Sequence, residues 1–408
     1  MGSFSIPLTG LESSSTDLDT IANNLSNMNT TGFKSQNVSF SDLFYQQIGS
    51  SGSGNLLEVG AGTQVAATST DFTEGSINST GNATNVALNG NGFFVLQNGG
   101  GTEYTRDGSF TLSPTGFLTT SSGLRVMGYP TANGVVNTNA PLAPIQIPVG
   151  EVEQPAATQN MSITANLDSS ATVGTTFPAQ VTLYDSLGTA HTATVTFTNT
   201  GTNTWSYNIA LPAGQSTGGA NLTGTLAFDA NGNLTTPAAN VAGVSFTGLT
   251  DGANNLTFNW NLYGSNGQPT ITQFAATSAA SATSQDGYSS GQYQSFAVDA
   301  SGLISATFSN GQTSPVGQLA LANVTNPEGL DVQGGNVYET TLASGQANVG
   351  VAGAGGLGTI EDNALEASNV NISAEFSDLI VAQQAYEASS KAVTTFDTVS
   401  QDTINMIH

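Results

Sequence analysis

Both ends of the chain carry apolar residues at the spacing of helices that pack against a partner. Near the N-terminus, Leu11, Leu18 and Leu25 recur at every seventh position, and Ile21 and Met28 each follow one of these leucines by three residues. These are the a and d positions of a short heptad pattern, which predicts a helix that packs on another helix.

The C-terminal segment repeats this pattern over a greater length. It contains neither glycine nor proline from Leu365 to Ile407, so it predicts one helix of roughly 65 Å at 1.5 Å per residue. The apolar positions that define its stripe are Leu365, Ile372, Phe376, Leu379, Tyr386, Val393 and Ile407. Two interpretations stay open. The helix packs on its own domain, or the two termini pair as a coiled coil whose outer face packs against other copies.

Between the termini, apolar and polar residues alternate as they do in half-buried antiparallel strands. The stretch "HTATVTF" places Ala193, Val195 and Phe197 on one face, and "LTFNWNLY" does the same with Phe258 and Trp260. We therefore predict a mainly β fold with α-helical termini.

Two shifts in composition predict that one β-domain is inserted into another. A proline-rich stretch spans 141–155 and a small-residue stretch spans 275–287. Between them we expect an outer domain, with the chain returning afterwards through an inner one. The predicted division is a terminal helical domain at 1–30 and 364–408, a linker at 31–70, an inner β-domain at 71–150 and 285–360, and an outer β-domain at 151–284.

Charge and composition exclude several classes of function. The chain has 28 acidic and 4 basic residues, a net charge of −24, with no Lys or Arg between Val126 and Ser390. Such a chain cannot neutralise phosphates, so we expect no nucleic-acid partner. No apolar run approaches the roughly 18 residues of a membrane span, and no secretory signal peptide is visible, so we expect no membrane insertion.

The candidate catalytic chemistry is sparse. Cysteine is absent, and the only histidines are His191, in a strand pattern, and His408. No nucleophile motif accompanies His191, and the "DANGN" stretch at 229–233 lacks the acidic twelfth residue of a calcium loop, so a hairpin turn is favoured there. We predict no enzyme activity, no cofactor and no metal site.

Several stretches, in order along nearly the whole chain, carry a family resemblance. They are "ANNLSNMNTTGFKSQ", "YTRDGSF", "LYDSLGTAHTATVTF" and "LEASNVNISAEFSDLIVAQQAYEASSKAVTTFD". Together they resemble the bacterial flagellar rod and hook proteins. The length and the inserted domain favour the hook type over the shorter distal rod type; a secreted β-rich adhesin or surface protein is a further alternative.

The resemblance implies a structural subunit that polymerises into a short curved tube outside the cell and transmits motor torque to the filament as a universal joint. It implies export of the unfolded chain by the flagellar type III apparatus, without a cleaved signal. The implied partners are copies of the chain, the distal rod, the hook cap, the hook–filament junction proteins and the export gate. The heptad residues of both termini would make the assembly contacts.

Two further expectations concern single side chains. Phe40 and Phe44 match the F-x-x-x-F-like motif that the resemblance associates with the export gate, although both could instead cover the inner β-domain. Because basic residues are so few, we expect the contacts between subunits to be hydrogen bonds or apolar patches, or to use Arg106 and Arg125.

Overall fold

The structure is a computed structural model that describes residues 5–50, 56–132 and 134–406. The chain divides into two compact units. The first comprises Met1–Val149, Ser295–Ala306 and Ser314–His408, and the second comprises Gly150–Gln294 and Thr307–Thr313. The second unit is thus an insertion in the first along the chain.

Two helices stand at the ends of the described chain. Helix α1 spans Ser5–Ser26 and helix α2 spans Ile372–Asn405. Helix α2 begins at a side-chain cap, because the Asn371 carboxamide oxygen accepts hydrogen bonds from the N–H groups of Ser373 and Ala374. Neither helix is long and apolar enough to cross a membrane within the described residues.

Two pairs of strands, together called the ribbon, follow α1 in the segment that the sequence marks as a linker. Its strands are β1 (Gln36–Asp42), β2 (Gln46–Ser50), β3 (Leu56–Val59) and β4 (Thr63–Thr70). Strand β1 pairs antiparallel with β4, and β2 pairs with β3. The ribbon is fastened to α1, because Asn24 exchanges hydrogen bonds with the backbone of Gln36 and Thr9 accepts one from the N–H of Thr63.

The remaining strands follow in chain order. The outgoing part contains β5 (Ile77–Ser79), β6 (Val86–Asn89), β7 (Phe93–Asn98), β8 (Gly101–Thr105), β9 (Thr111–Leu112), β10 (Leu118–Thr119), β11 (Arg125–Ala132), β12 (Val135–Val136) and β13 (Ala143–Pro144). The inserted part contains β14 (Val152–Glu153), β15 (Asn160–Asp168), β16 (Thr176–Tyr184), β17 (Ala190–Gly201), β18 (Thr204–Ala210), β19 (Gly218–Ala220), β20 (Thr223–Phe228), β21 (Leu234–Thr236), β22 (Val241–Thr247), β23 (Leu256–Asn261), β24 (Ile271–Phe274) and β25 (Ala279–Gln285). The returning part contains β26 (Gly291–Val298), β27 (Leu303–Phe308), β28 (Thr313–Leu319), β29 (Leu321–Asn323), a 3-10 turn (Pro327–Gly329), β30 (Asp331–Gly334), β31 (Val337–Glu339), β32 (Asn348–Gly350), β33 (Thr359–Asp362) and β34 (Ala364–Glu366).

The first unit is built around strand β7, whose apolar residues are buried. Strand β7 pairs antiparallel with β8, β11 and β29, so outgoing and returning segments share one sheet. The last two strands before α2 also pair with outgoing ones, β33 with β6 and β34 with β5. The first unit is therefore complete only when the C-terminal part of the chain has paired with these outgoing strands.

The second unit is a β-sandwich. One sheet has the order β16-β17-β18-β20-β21, and the other has β19-β22-β23-β15-β24 with β25 paired to β15. Apolar faces of both sheets form one core, in which Trp205 and Trp260 are fully buried. The predicted inward faces are confirmed, since Ala193, Val195 and Phe197 are all 0% exposed.

The predicted start of the C-terminal helix is wrong by seven residues. Leu365 lies in β34, where it pairs with Asn78 of β5, and the helix begins only at Ile372. The heptad spacing of Leu365 is thus coincidental, because strand pairing holds its backbone extended. Met28 lies in the turn after α1, since that helix ends at Ser26, and Ile407 lies outside the described residues.

Candidate assembly site

The two terminal helices pack against each other in an antiparallel arrangement. Asn24, near the end of α1, donates a hydrogen bond to Glu375 in the first turn of α2, at 3.0 Å. At the other end of α1, Gly10 lies against Ser389, whose hydroxyl would be 3.2 Å from a Cβ at that position. Glycine at this position therefore permits the close approach of the helices.

The seam between the helices is only partly apolar. Ile21 and Ala382 are buried, at 6% and 3% exposed. The other predicted heptad residues in the seam are half-buried: Leu11, Leu18, Leu25, Leu379 and Val393. Pairing of these two helices alone does not bury the predicted stripe.

A row of large apolar side chains on α2 stays exposed beside the seam. Ile372, Phe376 and Ile380 follow one another at four-residue spacing and are 45%, 49% and 55% exposed. This set is called the exposed row below. Side chains four apart lie on one face of a helix, so the row is a continuous apolar surface.

Helix α2 also extends beyond α1. It has 34 residues against 22 in α1, and the antiparallel register brings Ser5 to the level of residues near 394. Phe396, Val399 and Ile404 lie past that level and are 38%, 56% and 58% exposed. Among the described residues, α1 offers no partner for this part of α2.

Acidic side chains line the seam near the cap of α2. Asp17, Glu375 and Asp378 border one small cleft between the helices. Burial raises the pKa of Asp17, and the charge of Asp378 raises it further. Burial also raises the pKa of Glu375, while its hydrogen bond from Asn24 acts in the opposite direction. The seam is therefore a contact in which like charges weaken the pairing of the helices.

A buried cluster of three charges joins the segments next to the two terminal helices to the β strands of the first unit. Lys34 Nζ lies 2.6 Å from Glu366 Oε1, and Arg106 Nε lies 3.0 Å from Glu366 Oε2. All three residues are at most 3% exposed. Charges this far from water are stable only when they are paired and hydrogen-bonded, and this cluster meets that condition.

The remaining polar atoms of the cluster are bonded to backbone. Lys34 Nζ donates to the Thr73 carbonyl at 2.6 Å, and Arg106 Nη1 donates to the carbonyls of Gly90 and Gly92 at 2.7 and 2.9 Å. Glu366 Oε1 accepts a further bond from the N–H of Gly75 at 2.9 Å. Burial lowers the pKa of Lys34, and the attraction of Glu366 opposes that shift.

The glycine-marked break after α1 belongs to the same junction. Gly32 has φ of +65°, and a Cβ there would lie 2.8 Å from the backbone nitrogen of Asp107. Its N–H donates to the Glu366 carbonyl at 2.8 Å. Only glycine fits a left-handed conformation this close to the backbone of another segment. The sequence identified the break, but only the fold gives its reason.

The expectation for Arg106 is wrong. Its guanidinium lies inside the first unit and is used by Glu366 and by backbone carbonyls, so it is not on the surface of the chain. Arg125 is exposed and lies 4.2 Å from the ring centre of Phe117. Arg125 thus remains a candidate for a contact between subunits.

Phe40 and Phe44 lie on and beside the ribbon. Phe40 is in β1 next to a shift in the pairing with β4 and is 44% exposed. Phe44 follows β1 and is 96% exposed, so it covers no part of the described chain. The alternative that both rings cover the inner β-domain does not hold for Phe44.

Sequence reasoning missed Glu366 and Asn24, which both connect segments that are distant in the chain. One signal was available for Glu366, because a chain with four basic residues that buries any of them needs a carboxylate beside it. Nothing in the sequence singled out which of the 28 acidic residues it would be. Asn24 lies in a run of asparagines with no distinguishing pattern.

Four family models match the chain. The model described as "Flagella basal body rod protein" matches residues 8–34, and "Flagellar hook protein FlgE/F/G D1 domain" matches 87–166. The model "Flagellar basal body protein FlaE D2 domain" matches 155–288, and "Flagellar basal body rod FlgEFG protein C-terminal" matches 361–406. The four matches follow one another in order along the chain, from α1 to α2.

Curated relatives align along nearly the full length. The chain is 35% identical to the flagellar hook protein FlgE of Escherichia coli K12, with 99% of each chain covered. It is 33% identical to the protein of that name in Treponema pallidum, with 98% of each covered. It is also similar to the crystal structure of the Helicobacter pylori flagellar hook protein FlgE2, with a TM-score of 0.54 and 16% identity, over 71% of this chain and 100% of that one. At this identity the likeness shows a shared fold.

We expect Glu366→Gln to destabilise the first unit by roughly 3–5 kcal/mol, because it leaves two buried cations without a counter-charge. Amide exchange of β5–β8 peptides during denaturant titration of the full chain measures this loss. The matched control is Glu361→Gln on the neighbouring β33, where the carboxylate is exposed and accepts a bond from Asn89. The control should change stability by about 0.5 kcal/mol or less. Equal effects of the two variants would show that the cluster does not hold the unit together.

Proposed function

The chain belongs to the flagellar hook protein family, and from that premise we propose that it is the structural subunit of a short, curved tube that passes motor torque to the filament. The relatives that align along its whole length are named hook proteins, which favours this role over that of a rod subunit or an adhesin. The proposal requires no catalytic step and no cofactor.

The observation that carries the proposal is the apolar surface that α2 leaves uncovered. The exposed row lies near the start of α2, and a second set of exposed apolar residues, Phe396, Val399 and Ile404, lies near its end. Exposed apolar surface of this kind marks a protein contact. A partner that covers both must meet α2 along its length. A second copy of the helix pair, displaced along the tube, has that shape.

Repetition of one such contact generates a tube. A head-to-tail contact whose rotation does not close on itself extends into an open helical assembly. In this proposal the helix pairs of successive subunits form the inner layer of the tube, and the β units form its outer layers.

The surface chemistry of the β units suits a tube that bends. No Lys or Arg occurs between Val126 and Ser390, and the exposed polar residues are mostly Ser, Thr, Asn and Gln. Contacts between such surfaces exchange one hydrogen-bond partner for another without stranding a buried charge. Outer contacts can therefore slide while the inner helices stay packed.

The remaining partners in the proposal follow from the position of a hook in a flagellum. The subunit would reach the outside of the cell through the flagellar type III export gate and add beneath the hook cap. The tube would join the distal rod at one end and the hook–filament junction proteins at the other.

Immuno-gold electron microscopy of the source bacterium tests this role. We expect antibody against residues 155–275 to label a short curved segment between the cell envelope and the filament. Label distributed over the cell surface would instead indicate an adhesin and would overturn the proposed function while leaving the fold unchanged.

We expect the double variant Phe376→Gln and Ile380→Gln to impair polymerisation without destabilising the monomer. Each side chain is about half exposed, so each contributes roughly 1 kcal/mol when a neighbour covers it, and the critical concentration for tube growth should rise about 30-fold. Sedimentation of tubes grown from purified subunits measures this. Val173→Gln is the control, because Val173 is 71% exposed but lies in the second unit. Unchanged tube growth in the double variant would remove the exposed row from the assembly site.

We expect Phe40→Ala with Phe44→Ala to block secretion, because the aromatic pair would no longer engage the export gate. The folded chain should tolerate the change, since Phe44 is 96% exposed and Phe40 is 44% exposed. Immunoblots of the culture medium and of the cells report the secreted fraction. Tyr45→Ala is the control for loss of an exposed aromatic ring in the same segment, as Tyr45 is 59% exposed. Normal secretion of the double variant would exclude the motif.

A further inference from the structure

A histidine in the second unit faces two carboxylates from one ring nitrogen. His191 lies in β17, is 4% exposed, and places Nε2 2.7 Å from Asp185 Oδ2 and 3.3 Å from Asp251 Oδ2. Its other nitrogen, Nδ1, lies 3.1 Å from Gln215 Oε1. Asp185 is fully buried, and the Asp251 side chain is 25% exposed. This set of four residues is called the His191 cluster.

The His191 cluster connects three loops at one end of the sandwich. Asp185 holds the β16–β17 turn, because its Oδ1 accepts hydrogen bonds from the N–H groups of Leu187 and Thr189. The loop that carries Asp251 is bonded to the same turn through Asn254 and Ser186, and to the loop of Gln215 through the Thr250 N–H. The His191 ring contacts one residue of each of these three loops.

The same turn supports the segments by which the chain enters and leaves this unit. Gly188, in the turn, packs directly against Pro155 and Ser289, since a Cβ there would lie 2.7 Å from the Pro155 side chain and 3.3 Å from Ser289 Cα. Loosening of the turn would therefore loosen the contacts of both connecting segments.

The two carboxylates beside His191 favour the protonated ring. A neutral imidazole has one donor and one acceptor nitrogen, whereas an imidazolium has two donors. Here both nitrogens face oxygen atoms that accept hydrogen bonds, two carboxylates on one side and an amide oxygen on the other. A neutral ring that donates from Nε2 would require Gln215 to turn its amide NH2 group toward Nδ1.

No other side chain of this region can supply a positive charge. The chain has no Lys or Arg between Val126 and Ser390. The turn 185–190, the loop 211–217 and the loop 249–255 contain no charged residues other than Asp185 and Asp251. A buried carboxylate without a counter-charge is costly, so the proton on His191 offsets that cost.

A metal ion fits the same atoms less well. Ligand atoms about 2.0–2.1 Å from a tetrahedral zinc ion lie roughly 3.3 Å apart. The 2.7 Å separation of His191 Nε2 and Asp185 Oδ2 is instead that of a charge-assisted hydrogen bond.

We propose that a protonated His191, bound by Asp185 and Asp251, holds together the three loops at this end of the second unit, and that the contact weakens when the ring loses its proton at alkaline pH. This pH-sensitive contact is called the latch below. The latch is independent of the proposed function, because it concerns one unit of a single chain. It makes the stability of that unit respond to the pH of the surrounding medium.

The direction of the pH response follows from the partners. Burial acts to lower the pKa of His191, but its bonds to Asp185 and Gln215 and the charges of both carboxylates outweigh burial and raise it above the ordinary 6.5. Burial acts to raise the pKa of Asp185, but its polar contacts with Asp251, His191 and backbone N–H groups lower it to about 2. A group whose pKa is raised on folding binds more protons in the folded state. The stabilisation by protonated His191 is therefore complete below pH 6.5, the ordinary pKa of histidine. It is lost as the pH rises through the raised pKa of His191 in the folded state.

The experiment follows unfolding of the second unit in the full-length monomer between pH 6 and pH 9. Both tryptophans, Trp205 and Trp260, lie in the core of this unit, so tryptophan fluorescence during denaturant titration reports on it alone. The unfolding constant should rise with pH by a factor equal to the ratio of the His191 acid constants in the unfolded and folded states. NMR titration of the ring proton signals supplies the folded value independently.

Two variants separate the latch from other effects of pH. His191→Gln should show no rise in the unfolding constant over this range, whereas His408→Gln, which removes the other histidine, should keep the full rise. If His191→Gln does not fold, Asp251→Asn takes its place, and it should lower the NMR pKa of His191 and shrink the rise.

Three results would overturn the proposal. One is a folded His191 pKa at or below 6.5, and another is a wild-type pH response in His191→Gln. The third is a rise in the unfolding midpoint on addition of zinc chloride that disappears in His191→Gln, because it would mean that a metal ion rather than a proton occupies the cluster.

Discussion

Glu366 is the carboxylate on which the first unit depends, because it neutralises two buried cations that come from distant parts of the chain. Lys34 follows α1, Arg106 follows β8, and Glu366 ends the strand that precedes α2. Neither cation has another carboxylate within ion-pair distance in the described residues. The bonds to Glu366 therefore fix where the segments next to the two terminal helices meet the β strands of the first unit.

The two units stabilise their acidic side chains in different ways. The first buries two of the four basic residues and pairs them. The second contains no Lys or Arg, and its aspartates instead cap turns, as Asp229 does by accepting bonds from the N–H groups of Asn231 and Asn233. These bonds also explain why the pKa of Asp229 is lowered. The "DANGN" stretch is thus a turn fixed by its own side chain.

The contact between the two terminal helices is incomplete within a single chain. Their seam is partly polar, with Asp17 and Asp378 of like charge near each other, so pairing within one chain gains little apolar burial. Most of the large apolar side chains of α2 are more than one third exposed. In the proposed tube, neighbouring subunits would cover the apolar side chains that this weak internal contact leaves exposed.

The sequence by itself determined the strands of the second unit, the existence of both terminal helices and the nesting of one unit in the other. These features depend on local periodicity, as for Val195 and Phe258, whose burial follows from alternation alone. It did not determine that Arg106 is buried, that Glu366 is its partner, or that α2 begins only at Ile372. Those features depend on residues 260 and 332 positions apart that meet only when the chain has returned. Local pattern carries no information about which of many similar acidic side chains lies beside a given cation, so only the tertiary structure decided it.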